Sequence, residues 1–296
     1  MEGLEFVEPS KLYNILQQAT VFSCLSDPNY LLLIDARDKD NYNESHVITA
    51  KRAIKSENDE FIVPYDAELE CKENIIVYDS NTASLKDQGP AVNCGSLLWD
   101  MGSRNTVKIL KGGYEIFSAL YPFLRTQKVL FMPREMDDFK PFPIEIIPGF
   151  LYLGNWGQAN TAYIQKDLKI KNHINCCVEL ETFFPESGPQ LLHIQVEDRN
   201  DADILSHFAT ACAFLDTKNS ENTAVLVFSC LGISRSATVV MAYLIHSFKW
   251  TLEEAYKHVL DCSSYVRPNR GFIKQLAQWE EDVLGESKTN VDDPNF

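Results

Sequence analysis

Within Val225-Leu-Val-Phe-Ser-Cys-Leu-Gly-Ile-Ser-Arg-Ser236 lie the groups from which an oxyanion site is built: a thiol at Cys230, a glycine at 232 that allows a tight turn, hydroxyls, and Arg235. Backbone N–H groups of such a turn, pooled with the N-terminus of a following helix, form a concave anion site. An arginine at its end can clamp two phosphate oxygens. A thiol in that field is a potential nucleophile, because loop dipoles and a cation lower its pKa from about 8.5 toward neutrality. Attack also requires a near-attack geometry of about 3 to 3.5 Å with aligned orbitals, so the register of the thiol in the loop decides its role.

The elements that must position this turn are legible around it. Ala224–Phe228 is a continuous apolar run, and Ser236-Ala-Thr-Val-Val-Met-Ala-Tyr-Leu-Ile-His-Ser247 is apolar over helical length, so a buried strand enters the turn and a helix leaves it. Thr251-Leu-Glu-Glu254 reads as a capping box ahead of a further helix. Asn269 and Gly271 mark a turn before a last helix. Upstream, a helix-spaced run follows Pro9-Ser10, and Leu31–Asp38 and Asn74–Ser80 read as buried strands. A polar loop over 81–89, a helix near Pro90–Met101, a short strand within 106–113 and an amphipathic segment to Leu124 follow. Strands alternating with helices predict an α/β fold with parallel sheets. Residues 127–142 mix proline, charge and isolated aromatics without periodicity, which reads as a linker.

Two resemblances cover most of the chain. LIDARDKDNYNESHVITA (33–50), IIVYD (75–79) and VKILKGGYEIF (107–117) together resemble a rhodanese-like domain. Active rhodaneses form a persulfide on a cysteine in the loop after the second of these strands. Ser80–Gly89 contains no cysteine, so the resemblance implies the fold without sulfur transfer. Asp35 and Arg37 read as strand-end residues that satisfy loop backbone and each other.

From Ile144 to Leu284, VFSCLGISRSATVVMAYLI (227–245), TLEEAYKHVL (251–260) and VRPNRGFIKQLAQWE (266–280) resemble the dual-specificity protein phosphatases. That family's signature is His-Cys, five residues, then Arg and Ser or Thr. Arg235 and Ser236 match, and counting back puts the nucleophile position at Ser229 and the histidine position at Phe228. Cys230, with only four residues before Arg235, falls one place late. That shift turns its side chain away from the phosphorus, and it reads as a small loop-packing residue. A serine hydroxyl stays neutral in the same field and needs an adjacent general base, which phenylalanine is not. A deficit of six pKa units in available anion corresponds to about 8 kcal/mol at about 1.36 kcal/mol per unit.

The resemblance places the general acid at Asp198, in HIQVEDRND (193–201), where an acidic surface-loop role is the other reading. It implies phosphate binding by Cys230, Leu231, Gly232, Ile233, Ser234 and Arg235. A neutral hydroxyl at 229 removes a negative charge that would repel phosphate, while Phe228 lacks the hydrogen bonds by which a histidine would brace the loop.

A rhodanese-like domain joined to a dual-specificity phosphatase domain is the architecture of the mitogen-activated-protein-kinase phosphatases. The expectation is therefore an α/β chain with a rhodanese-like domain over 1–126, a linker over 127–142, a dual-specificity-phosphatase-like domain over 143–286 and a tail over 287–296. Each domain is expected to hold a central, mainly parallel sheet flanked by helices. The expected function is a catalytically inactive pseudophosphatase, a scaffold or competitive binder in phospho-dependent signalling. A weakly active protein phosphatase and a pure scaffold that binds no phosphate are the alternatives. The expected partners are signalling phosphoproteins or phosphatase partners. Active kinase phosphatases carry an arginine cluster in their rhodanese-like half. Here AKRAIKSENDEF (50–61) offers only Lys51, Arg52 and Lys55 before turning acidic, which argues against kinase docking.

Composition excludes other classes. With 27 basic and 42 acidic residues the net charge is −15, which repels nucleic acid and anionic membrane. Eight cysteines without a Cys-x-x-Cys pair, and His246 and His258 without a paired ligand, give no zinc site, disulfide framework or other metal centre, and no cofactor is expected. No apolar run reaches the roughly 18 residues of a membrane span, and MEGLEFVEPSK is too acidic for a presequence, so a cytoplasmic setting is expected.

Overall fold

Apolar runs too short for helices become the central strands of two sheets. The computed structural model describes residues 3–63, 67–130, 135, 139–178, 190–286 and 288–291, and the chain divides into two units, Met1–Pro141 and Phe142–Phe296.

In the first unit the elements are β1 (Leu4–Val7), α1 (Pro9–Gln17), β2 (Leu31–Asp35), α2 (Lys39–Glu44), β3 (His46–Val47), β4 (Lys51–Arg52), β5 (Ile54–Lys55), β6 (Phe61–Ile62), β7 (Asn74–Tyr78), α3 (Pro90–Asp100), β8 (Val107–Leu110), α4 (Gly113–Leu120) and β9 (Arg125–Thr126). A five-stranded sheet runs in the order β1-β8-β7-β2-β4, every pair parallel. The centre strands β2 and β7 are buried almost throughout, as expected of a sheet covered on both faces. Asp35 and Arg37 satisfy each other at the end of β2: Arg37 Nη2 donates to Asp35 Oδ2 at 2.6 Å and to the Ser45 carbonyl at 2.7 Å.

The second unit holds β10 (Ile144–Ile147), β11 (Leu151–Asn155), α5 (Trp156–Ala159), α6 (Ala162–Asp167), β12 (Ile170–Asn175), β13 (Gln190–His193), α7 (Leu205–Ser220), β14 (Ala224–Ser229), α8 (Arg235–Phe248), α9 (Leu252–Cys262) and α10 (Arg270–Leu284). Its sheet runs β10-β11-β14-β12-β13, parallel except for the β10/β11 pair. Both units therefore carry the expected mainly parallel sheet. All six residues of β14 are buried, and α8 is buried from Arg235 to Ile245. The core gathers Val225 and Val227 with Val239, Met241, Tyr243, Phe208 and Leu276.

Thr251 and Glu254 form the expected capping box at α9. The linker expectation over 127–142 lies partly outside the described residues, as does the tail expectation over 287–296. The described part of the latter folds back on the unit, where buried Glu280 accepts hydrogen bonds from the amides of Leu252, Lys288 and Thr289.

Candidate functional site

Strand β14 lies between β11 and β12 and delivers Ser229 to the C-terminal edge of the sheet, where open α/β sheets bind ligands. The chain then turns through residues 230–234 and enters α8 at Arg235. Gly232 makes the turn with φ 77°, and a Cβ there would sit 2.7 Å from the Gly154 carbonyl oxygen on the neighbouring strand. Only glycine fits both the conformation and the space.

Ser229 is 3% exposed. Its Oγ accepts from the Gly232 amide at 3.2 Å and shares a hydrogen bond of 2.9 Å with Ser236 Oγ. Among the described residues, no histidine or carboxylate hydrogen-bonds to it.

The loop is braced without a histidine. Arg267 N donates to the Ile233 carbonyl at 3.0 Å, Thr238 Oγ1 donates to the Ser234 carbonyl at 2.9 Å, and Asn269 N donates to Ser234 Oγ at 3.3 Å. The Phe228 side chain offers the loop no hydrogen bond, as expected, and these bonds come from α8 and from the segment before α10. The Phe228 ring is fully buried and meets His173 edge-to-face, with centroids 5.9 Å apart. Burial pushes the His173 imidazole down to about 3, so the ring is neutral, with Nε2 against Gln165 Oε1 at 2.8 Å.

Arg235 is 8% exposed. Its Nη1 donates to the Val196 carbonyl at 3.1 Å, while its buried Nε has no hydrogen-bond partner and lies 3.8 Å from Asp198 Oδ2. Among the described residues, the backbone amides of Cys230, Leu231, Ile233, Ser234 and Arg235 also have no partner within the chain. Unused donors at the start of a helix are suited to an anion.

Asp198 sits in the loop between β13 and α7, and its Oδ1 accepts from Ser234 Oγ at 2.7 Å and from Asn269 Nδ2 at 2.8 Å. The carboxylate is exposed, as the surface-loop reading has it, and is also tied to the phosphate loop. The same segment of chain holds the rest of the acidic loop: Gly271 N donates to Asn200 Oδ1, and Gln275 Oε1 accepts from the amides of Ile204 and Leu205 at the start of α7. Sequence reasoning recognised Asn269 and Gly271 as a turn but missed this tethering role. It also missed the partnership of Ser236 with Ser229.

Cys230 departs from the expected packed position. It is exposed, with its Sγ 3.7 Å from that of buried Cys177, because the loop turns outward directly after Ser229. His246 Nε2 is 2.9 Å from Asp216 and His258 Nε2 is 3.0 Å from the Ile146 carbonyl. Among the described residues, no cluster suits a metal and no helix is long and apolar enough to cross a membrane.

In the first unit the loop after β7 is organised by Asp79, which accepts from the amides of Asn81, Thr82 and Ala91 and from Thr82 Oγ1. A cavity of about 610 Å³ opens beside it, lined by Arg37, Arg52, Lys55, Asp79 and Ser80 among others. Lys51 and Arg52 are exposed on β4, and Lys55 is paired with Asp59 at 2.8 Å, which removes one charge from an already sparse cluster.

A five-stranded parallel sheet in one unit, and in the other a strand, phosphate-type loop and arginine-led helix beside a tethered aspartate, define a rhodanese-like domain with a dual-specificity phosphatase domain. Residues 18–120 match the rhodanese-like domain family and residues 151–282 the family described as the dual specificity phosphatase catalytic domain. Human dual specificity protein phosphatase 4 is 32% identical over 82% of this chain and 68% of its own length. The chain belongs to the dual-specificity protein phosphatase family. A Slingshot phosphatase homolog of Xenopus laevis is 39% identical over 49% of this chain, and dual specificity protein phosphatase 5 of Rattus norvegicus is 33% identical over 66% of it. The chain spans 21% and 56% of those two proteins. Among solved structures, that of the human tyrosine phosphatase-like serine/threonine/tyrosine-interacting protein aligns with 48% of this chain and 97% of its own, at 29% identity and a TM-score of 0.45.

Proposed function

We propose that the C-terminal unit is a pseudophosphatase domain that binds phosphorylated proteins without hydrolysing them, in the manner of MK-STYX, the inactive member of the kinase phosphatases that the sequence resembles. The observation that carries this reading is the buried Arg235 Nε without a hydrogen-bond partner, at the head of α8 and beside a run of unpartnered loop amides. Buried polar groups are almost always satisfied, so such a donor set points to an anion that completes it. The hydroxyl of Ser229 meets the Gly232 amide and the Ser236 hydroxyl and no general base, which supports binding without attack. The chain acts as a scaffold or competitor, occupying phosphosites on signalling proteins or contacting phosphatase partners. The sparse and partly neutralised cluster of Lys51, Arg52 and Lys55 supports a role apart from kinase docking.

The test is titration of tyrosine- and threonine-phosphorylated peptides into wild type and Arg235→Ala. Charge-assisted hydrogen bonds contribute about 1.5–3 kcal/mol each, so losing the arginine's share should weaken binding by at least about ten-fold. Equal absence of binding in both proteins would favour the pure scaffold, and phosphate release by wild type would favour a weakly active phosphatase.

A further inference from the structure

Strands β12 and β14 run parallel with Asn175 opposite Phe228, and the Cys176 amide continues the ladder by donating to the Phe228 carbonyl at 2.9 Å. β12 ends at Asn175 and β14 at Ser229, and just past these ends Cys177 and Cys230 come together. The two sulfurs are 3.7 Å apart. Cys177 is buried and anchored: its amide donates to Asn175 Oδ1 and its carbonyl accepts from His193 Nε2, both at 2.8 Å. Cys230 is exposed on the phosphate loop. A thiol open to solvent oxidants thus has a second thiol directly behind it.

We propose that Cys177 and Cys230 form a reversible disulfide on exposure to a peroxide, and that this bond switches off the phosphate loop. Hydrogen peroxide oxidises the Cys230 thiol to a sulfenic acid, with release of one water. The Cys177 sulfur then attacks the sulfenic sulfur, and hydroxide leaves and takes up the thiol proton as a second water. Two thiols and one peroxide give one disulfide and two waters. A dithiol reductant reverses the bond by exchange.

Closing the pair brings the sulfurs from 3.7 Å to about 2.05 Å, a movement of about 1.7 Å. With Cys177 anchored, the movement falls on Cys230, whose amide is one of the unpartnered loop donors. The loss of one charge-assisted hydrogen bond to phosphate lowers affinity by at least about ten-fold. This second half rests on the reading of the loop as a phosphate site; formation of the bond does not.

The experiment treats the full chain with one equivalent of hydrogen peroxide and maps disulfides by non-reducing proteolysis and fragmentation mass spectrometry, which separates Cys177 from Cys176. Binding of a phosphotyrosyl peptide is titrated before oxidation, after it, and after dithiothreitol. The expected result is a Cys177–Cys230 link, an affinity at least about ten-fold weaker in the oxidised protein and restored by reduction, and no link in Cys177→Ala. Should that variant misfold, Cys177→Ser serves, and the mapping of wild type stands without either. Absence of the link in oxidised wild type, or linkage of Cys230 to another cysteine, overturns the proposal. A link that leaves affinity unchanged overturns the switch. If the reduced wild type binds no phosphopeptide, the phosphate reading fails instead, while the mapping still decides whether the disulfide forms.

Discussion

Phe228→His together with Ser229→Cys should convert the domain into an active phosphatase, and the structure sets how much each change supplies. A thiolate at 229 would accept from the two partners now on the serine, Gly232 N at 3.2 Å and Ser236 Oγ at 2.9 Å, and would lie at the N-terminus of α8. At about 1.5–3 kcal/mol for each hydrogen bond to a charged group, two such bonds hold the thiol some 2 to 4 pKa units below its usual value of about 8.5. Thiolate then dominates at pH 7. The wild-type hydroxyl in the same field remains neutral, with a deficit of about six units or about 8 kcal/mol. Ser229→Cys alone should therefore restore most of the nucleophile. The second substitution adds bracing to a loop already held by Thr238, Arg267 and Asn269. Asp198, within reach of the loop through Ser234, should then act as general acid, so that Asp198→Asn in the revived background slows turnover by about 10² to 10⁴-fold. The assay is hydrolysis of an aryl phosphate by the wild type, both single variants, the double variant and the triple variant. A double variant that folds, binds phosphate and shows no hydrolysis above a blank would refute the argument.

Three further outcomes follow from particular contacts. His173 is neutral in the fold and takes up a proton on unfolding, so stability is fully present above pH about 6.5 and is lost as pH falls from there toward about 3. The loss is at most about 5 kcal/mol at about 1.36 kcal/mol per unit. Denaturant melts across this window should flatten in His173→Phe, and an unchanged slope would contradict the assignment. Gly232→Ala forces a positive φ and a contact with the Gly154 carbonyl, so thermal stability should fall by the equivalent of about 1–2 kcal/mol or more and phosphate affinity should fall with it. Retained affinity would show that the turn is not needed in this form. The N-terminal unit should yield no thiocyanate from thiosulfate and cyanide in the intact chain, because the Asp79-organised loop has no thiol; formation of thiocyanate would sink that reading.

The parts of the fold visible in the sequence are those whose signals are local. The apolar run of β14, the buried strands at Leu31 and Asn74, and the Thr251 capping box each depend on residues within a few positions of one another. The turn at Gly232 was legible for the same reason. What stayed hidden depends on pairing across long separations. Asn269 reaches Asp198 across 71 positions, and Cys230 meets Cys177 across 53 where two neighbouring strands end, contacts that no local pattern encodes. Phe228 shows in the sequence only that a histidine's hydrogen bonds are missing; the bonds that hold the loop come from α8 and from the residues before α10, which no local pattern links to it. The small size of Cys230 suggests packing inside the loop, but the chain leaving β14 sets it in an exposed position.

The most direct test of a phosphate site without phosphatase chemistry follows two signals on one sample of the purified chain mixed with a phosphotyrosyl peptide: fluorescence anisotropy for binding and free inorganic phosphate for turnover. The account predicts saturable binding that the unphosphorylated peptide does not show, and phosphate release that stays at the level of a blank over many times the lifetime of the complex. Phosphate released in proportion to bound peptide, lost in Ser229→Ala or in Cys230→Ser, would contradict it and identify the nucleophile at the same time.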